Sequence, residues 1–575
     1  MSVTHWEVRA SEIGRELFKK MKGQKPGVFN KAWWQGQVME WSMKDEDFKT
    51  EMFRFVDVFP VLQTPDDVYK HLEEYLMKPG LNVPGVIKAA LKGAGMAGFM
   101  KKTATHQIMK QMEGMAKNFI CGVDGTNALK TLKELRKLRQ SFTVDLLGEA
   151  TTSEAEAEDY VARYRELIIS LSDHCDQWKR ADTLDSDDRG ELPRVNVSIK
   201  VSAMYSQLDP IAFEESVEAA SKRLLPLFQL AAERGVFLNL DMEHYAFKSL
   251  TYALLKRVLE DPSLEGYEHA GVVIQAYLRD SEEDLRDLIK WSKGHQKRIT
   301  IRLVKGAYWD YETIHAHQEG WESPVWLDKA DSDVQFERLS AIMLENHSYV
   351  RSAIGSHNLR SIAVACAAAE HFKVPKNGYE IQCLYGMAEP IKAACADYGL
   401  RVRTYAPVGE LIPGMAYLVR RLLENTSNEG WLKQGFADDA DPTKLLQPPQ
   451  AQQRSGMLRA VPKTVGSLNE IEPFSNEPLR DFTRPVARQE FDTALREVKG
   501  ALGAIYPSII SGVEISEGER LQSVNPSRPE EIIGQIILTD ESAVDDAIRS
   551  AYEAWPSWSS RGVNERSLWL LKVAG

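Results

Sequence analysis

Eight short runs rich in Val, Ile, Leu and Tyr, separated by helix-like sequence, constrain this chain more than any other feature in it. They are Phe142–Glu149, Val195–Ser202, Val236–Glu243, Gly271–Leu278, Ile299–Lys305, Ala353–Asn358, Tyr379–Tyr385 and Arg401–Ala406. Stretches such as Phe213–Arg234 and Glu283–Gly294 carry apolar residues at helical spacing between them. Strands that alternate with helices pair in parallel through right-handed crossovers. Eight such units predict an α/β fold closed into a (β/α)8, or TIM, barrel, with an open doubly wound sheet as the alternative.

A barrel of this kind collects chemistry at the C-terminal ends of its strands. The polar residues of the eight runs sit there. The first run ends in Glu149, the second carries Lys200, the third Asp241 and Glu243, and the fourth Gln275. The fifth leads into Arg302-Leu303-Val304-Lys305-Gly306-Ala307-Tyr308-Trp309, the sixth ends in Ser356-His357-Asn358, and the eighth in Arg403-Thr404-Tyr405. Any one of these fits a solvated rim. Their recurrence on nearly every strand end points to a site, and the Arg/Lys excess points to an anionic ligand.

After the eighth run comes Tyr417-Leu418-Val419-Arg420-Arg421-Leu422-Leu423-Glu424. At 3.6 residues per turn, Tyr417, Arg420, Arg421 and Glu424 share one helix face, and the leucines and valine the other. Adjacent guanidinium groups beside an aromatic ring make a carboxylate clamp, since each arginine can donate two parallel hydrogen bonds. A solvated charged face is the plainer reading.

These blocks resemble the proline dehydrogenase part of the bacterial bifunctional proline utilization A proteins. The matching segments are Val197–Ala203, Asn239–Glu243, Arg302–Trp309, Ser356–Asn358, Gly386–Pro390, Tyr405–Gly409 and Tyr417–Asn425, in order and at barrel-like spacing over most of residues 1–435. The resemblance implies a distorted (β/α)8 barrel holding FAD at its strand C-termini and oxidising L-proline to 1-pyrroline-5-carboxylate by hydride transfer to the flavin. It implies Lys200, Asp241 and Arg302 as catalytic residues, with Asp241 close to Lys200. Arg420, Arg421 and Lys200 would bind the substrate carboxylate, Glu149 would pair with a clamp arginine, and Tyr308, Leu384, Tyr405 and Tyr417 would wall the ring. The implied FAD contacts are Asp241, Gln275, Arg302, Lys305, Gly306, Ala307, Tyr308, Trp309, Ser356, His357, Asn358 and Glu424. A membrane quinone as electron acceptor, and so a peripheral membrane contact, is implied as well.

Domain organisation is expected as a helical arm over 1–62, a helical domain over 63–135, the barrel over 136–435 and an Asp/Gln/Pro/Ser-rich linker over 436–470. Residues 471–575, with Glu472–Pro478, Val524–Pro529 and Ala551–Trp558, resemble the beginning of an aldehyde dehydrogenase. All five cysteines precede that segment, and Ser567–Gly575 breaks off inside an apolar helical pattern, so the expectation is an incomplete second enzyme. The N-terminus opens directly on Trp6–Lys22, so the ribbon-helix-helix DNA-binding module of some relatives is not expected.

A net charge of −12 argues against a nucleic-acid-binding body. Five cysteines without a CxxC pair fit a reducing cytoplasm, and no secretory leader or long apolar run is visible. The sequence leaves oligomeric state open. Two motifs mislead. Gly93-Ala94-Gly95-Met96-Ala97-Gly98 matches GxGxxG without a preceding strand. His315-Ala316-His317 lies in helix-like sequence, where i and i+2 do not share a face, so no metal is expected. Lys200 or Lys305 could be a Schiff-base lysine of an aldolase-type barrel, and a non-catalytic fragment is the third alternative.

Overall fold

In a computed structural model the described residues are 6–22, 64–83, 119–148, 151–410, 442–451 and 478–574, with isolated positions between 47 and 62, Lys88 and Asn476. The expectations placed on Glu149, on the 93–98 glycines and on Tyr417, Arg420, Arg421 and Glu424 fall outside them.

All eight expected strands form, as one closed parallel barrel: β1 (Gln140–Leu146), β2 (Asn196–Lys200), β3 (Phe237–Asp241), β4 (Ala270–Gln275), β5 (Ile299–Val304), β6 (Val350–Gly355), β7 (Tyr379–Leu384) and β8 (Arg401–Val408). Each pairs with its neighbour in sequence, and β8 closes on β1 from Gln140↔Val402 to Leu146↔Val408. Seven of the expected runs extend one to three residues beyond the strand's C-terminal end, because the rim residues continue the apolar alternation after ladder pairing stops, whereas the eighth strand runs on past the expected Ala406 to Val408.

Within each strand the side chains alternate between two faces. Val197, Ile199, Leu238, Leu240, Val272, Ile274, Ile301 and Leu303 are fully buried in the hydrophobic cluster of the domain. The intervening positions, Asn196, Ser198, Asn239, Asp241, Thr300, Arg302, Glu380, Gln382 and Arg403, are buried too, and they are polar. Most line cavities inside the barrel. Barrel interiors are ordinarily filled by branched apolar side chains. Here Glu380 accepts two bonds from Arg403 (2.8 and 3.0 Å), one from Arg401 (3.1 Å) and one from Gln382 (2.6 Å). Burial would push the Glu380 carboxyl up, but the two arginines outweigh it and hold it down at about 2.

Helices follow the strands where expected. Phe213–Arg234 spans the residues read from sequence and ends at Gly235, whose φ of 61° suits glycine in a left-handed cap. Gly125–Lys137 is capped by Asp124, which accepts from Asn127 N at 2.7 Å. His315 and His317 lie in helix Trp309–Glu319. The N-terminal helix Glu7–Lys22 buries Ala10, Ile13, Leu17 and Met21. Arg360 joins it to the barrel helix Leu359–His371, bonding Glu7, Glu337 and the Leu446 carbonyl.

The chain divides into two compact units. One comprises residues 1–316 and 323–454, the other residues 317–322 and 455–575. The second holds helices Pro485–Ala501, Glu541–Ser559 and Val563–Ala574 and a three-stranded sheet in the order Ala504–Tyr506, Arg528–Leu538, Glu519–Asn525. No described helix is long and apolar enough to cross a membrane.

Candidate active site

A cavity of about 350 Å³ opens at the C-terminal ends of the strands. Its wall includes Lys200, Asp241, Gln275, Arg302, Lys305, Gly306, Ala307, Tyr308, Ser356, His357, Asn358, Leu384 and Tyr405, so most expected site residues within the described chain come together. Trp309 is not part of that wall. It is 41% exposed, and its indole N–H donates to the Trp326 carbonyl at 2.8 Å.

Two ion pairs organise the floor. The Lys200 ammonium bonds the Asp145 carboxylate and the Leu146 carbonyl, the latter at 3.1 Å. Arg302 Nη1 donates to Asp241 Oδ1 at 2.6 Å, and its Nη2 to Ser198 Oγ at 3.0 Å. The other Asp241 oxygen accepts from the Tyr405 hydroxyl at 2.6 Å. The expected closeness of Asp241 to Lys200 holds for the backbone, where the two are register partners. Their direct ion-pair partners differ. Lys200 turns to β1, and Asp241 serves Arg302 and Tyr405. Asp145 was missed, although Thr143 and Asp145 alternate with Phe142, Val144 and Leu146 in the first run and mark its inward face.

Burial works against the Lys200 ammonium, but the Asp145 carboxylate, with Tyr164 and Asp241 behind it, outweighs burial and holds the ammonium above the ordinary lysine range. The Tyr405 phenol is pushed well up by burial and by the Asp145 and Asp241 charges, so it stays a hydrogen-bond donor. Burial raises Glu243, opposed by bonds from Ser202 N (3.1 Å) and Oγ (2.6 Å). Burial lowers Lys305, opposed by its ion pair with Asp333.

The rim is backbone-shaped. Leu384 N–H donates to His357 Nε2 at 3.0 Å, which puts the ring proton of a neutral His357 on Nδ1. Asn358 caps helix Leu359–His371, accepting from Arg360 N at 2.9 Å. Gly306 has a φ of 135°, and a Cβ there would lie 2.5 Å from the Tyr277 ring. A second cation missed from sequence, Lys329, joins the rim.

The donor set suits a large ligand with an anionic part and a polar planar part. Lys305 and Lys329 supply cations at the rim. Gln275 Oε1 is buried without a hydrogen-bond partner in the described structure and belongs to this wall, so it waits for a donor. A flavin dinucleotide, with pyrophosphate and ring N–H, meets these requirements.

The proline dehydrogenase family model matches residues 128–434, and the model of the proline utilization A N-terminal domain matches residues 7–119. The bifunctional protein PutA of Klebsiella aerogenes is 28% identical over 480 residues, covering 80% of this chain and 35% of that protein. Proline dehydrogenase 1 of Bacillus subtilis is 26% identical over 321 residues, 56% of this chain and 90% of that protein. The crystal structure of proline utilization A from Bdellovibrio bacteriovorus, inactivated by N-propargylglycine, superposes with a TM-score of 0.82 at 42% identity, covering 98% of this chain and 55% of that one. The chain thus spans about a third of the length of the curated PutA relatives it matches. With the family model matching more than half of the chain and the whole of its barrel, the chain belongs to the proline dehydrogenase family.

Proposed function

We propose that this chain is an FAD-dependent proline dehydrogenase, oxidising L-proline to 1-pyrroline-5-carboxylate as the first step of proline catabolism to glutamate, with electrons leaving to a membrane quinone. The observation that carries this reading is the family match over a barrel whose C-terminal cavity unites paired cations, a buried tyrosine donor and an unmet Gln275 acceptor.

Bound FAD supplies the hydride acceptor for the proline ring C5–H. The rest is the work of the chain. Lys200, kept charged by Asp145, attracts the substrate carboxylate, together with Arg420 and Arg421 from the clamp sequence and Glu149 as their counter-charge. Tyr405, Leu384 and Tyr308, with Tyr417, bound the proline ring and exclude water. Asp241 aims Arg302 and Tyr405 into the cavity. Arg302, Gln275, Lys305 and the Ser356–Asn358 turn, with Glu424, hold the cofactor. The substrate amine loses its proton to solvent as the C=N bond forms.

A raised, ion-paired Lys200 is a poor amine nucleophile, which counts against the Schiff-base alternative. The layout of arm, helical domain, barrel, linker and aldehyde-dehydrogenase-like segment, and a cytoplasmic site with peripheral membrane contact, belong to the same proposal. The test is the visible spectrum of the purified protein. Flavin absorbance that bleaches anaerobically with L-proline supports the reading. A colourless protein, or one that forms a borohydride-trapped lysine adduct instead, overturns it.

A further inference from the structure

The turn Gly386-Met387-Ala388 joins β7 to helix Glu389–Asp397. It holds two residues in the left-handed region, Gly386 at φ 73° and Ala388 at φ 56°, a conformation that costs alanine energy. One turn into the helix stands Lys392, which is fully buried. Its ammonium bonds the Glu389 carboxylate at 2.5 Å and the Leu384 carbonyl at 3.3 Å. The Glu389 side chain is 44% exposed, so the same i,i+3 pair could form at the surface without burying a lysine. Burying an ammonium costs more than burying an apolar side chain of similar size. What burial adds is reach to the Leu384 carbonyl.

That carbonyl lies where the barrel ladder runs out. The last pair between β6 and β7 is Gly355↔Gln382, beside which Ser356 N donates to the Gln382 carbonyl at 3.1 Å. Leu384 is the next residue in phase on that edge. Asn358 N, which would continue the ladder to its carbonyl, donates to Ser356 Oγ at 3.0 Å instead. Two side chains take the place of the missing strand. His357 Nε2 accepts from Leu384 N–H at 3.0 Å, and Lys392 Nζ donates to the Leu384 carbonyl. Met387 N adds a longer bond to that carbonyl, at 3.4 Å. On the opposite edge Leu384 is the register partner of Tyr405, and Tyr385 N donates to the Tyr405 carbonyl at 2.9 Å. Leu384 and Tyr405 both line the functional cavity.

We propose that Lys392 is a positioning residue for the substrate ring: it fixes the Leu384 peptide, and with it the width of the slot between Leu384 and Tyr405. This role rests on the proline dehydrogenase reading and adds to it the residue that sets the slot. Lys392 is not part of the cavity wall, so its influence passes through Leu384. An apolar side chain of equal length would fill the same volume but leave the Leu384 carbonyl to Met387 N. The slot then holds the ring less closely before and during hydride loss alike, and the loss falls on KM more than on kcat.

A double-mutant cycle on the flavin-loaded full chain tests the proposal, with Lys392→Met, Leu384→Ala and the pair together. Lys392→Met should raise KM for L-proline about 3- to 10-fold, what one net hydrogen bond is worth, with flavin content unchanged and kcat changed less. In the Leu384→Ala background the same replacement should change KM by less than about 2-fold, because the side chain it positions is gone. An unchanged KM in Lys392→Met, or an equal rise in both backgrounds, overturns the proposal. Should Lys392→Met not fold, Lys392→Gln, a shorter neutral side chain, takes its place in the cycle with the same expectations. A crystal structure of the folded variant gives a readout that needs no turnover. The Leu384 carbonyl should point away from its wild-type direction, and a Leu384 peptide that superposes on the wild type overturns the proposal. A wild-type protein without proline oxidation overturns the functional reading instead, and the position of the Leu384 peptide still decides whether Lys392 places it.

Discussion

Replacing Asp145 by Asn tests the centre of the site more sharply than any other single change. The Asp145 side chain is 1% exposed and that of Lys200 14%, and the two are ion-paired. Removing one partner of a buried pair costs about 3–5 kcal/mol, because the other charge is left uncompensated. The small residual exposure of Lys200 puts the expected loss near the lower end, about 3 kcal/mol. The pH dependence carries a sign. In the wild type the Lys200 pKa is raised on folding, so its contribution is fully present below the ordinary lysine value of about 10.4 and is lost only as pH rises through the higher folded value. In Asp145→Asn burial is left without its main opponent, and the folded pKa of Lys200 falls. The variant then regains stability as pH rises from that lowered value toward about 10.4, so its deficit against wild type narrows with pH. Urea unfolding followed by fluorescence at about pH 6 and about pH 9 measures both deficits. The double variant Asp145→Asn/Lys200→Met should recover most of the loss, since it removes the stranded charge. A deficit under about 1 kcal/mol, or one equal at both pH values, would refute the reasoning.

Tyr405→Phe removes the 2.6 Å bond to Asp241 and should cost about 1.5–3 kcal/mol, read as catalytic efficiency with proline while flavin content is unchanged. Tyr405→Ser opens the wall beside the ring and should narrow the preference for proline over 4-hydroxyproline by about 1–3 kcal/mol; an unchanged ratio makes Tyr405 a packing residue. Arg420→Ala or Arg421→Ala should weaken proline saturation by about 2–5 kcal/mol with flavin retained, and normal saturation in both removes the clamp. Glu380, held at about 2, adds stability that is present above the unfolded carboxyl value of about 4.3 and is lost as pH falls through about 2. Glu380→Gln should therefore flatten the acid limb of the stability curve. The five cysteines are buried, and burial pushes Cys366 up to about 11 and Cys175 and Cys383 to about 12. A chromogenic disulfide should label none of them in the folded protein and all five in urea, and rapid labelling of the native state contradicts their burial.

What the sequence determined by itself is the set of elements and the end of the barrel that carries the chemistry. Local alternation and helical spacing suffice for this, because strand and helix formation depend on residues within a few positions of each other. Lys200, Gln275, Arg302, Lys305, His357 and Tyr405 were legible for the same reason, as polar residues at the ends of apolar runs. What only the tertiary structure decided is which face of each strand turns inward and which carboxylate meets which cation. Alternation in Val197-Ser198-Ile199-Lys200 reads equally well with the polar face outward. Closure of the barrel puts that face inside, since the helices must cover Val197 and Ile199. Once inside, Lys200 has carboxylates on both neighbouring strands, Asp145 on β1 and Asp241 on β3. The choice between them rests with Arg302 and Tyr405, which reach Asp241 from β5 and β8 and leave Asp145 to the lysine. These partners lie 55 to 164 residues apart in the chain, so no local pattern could have assigned them.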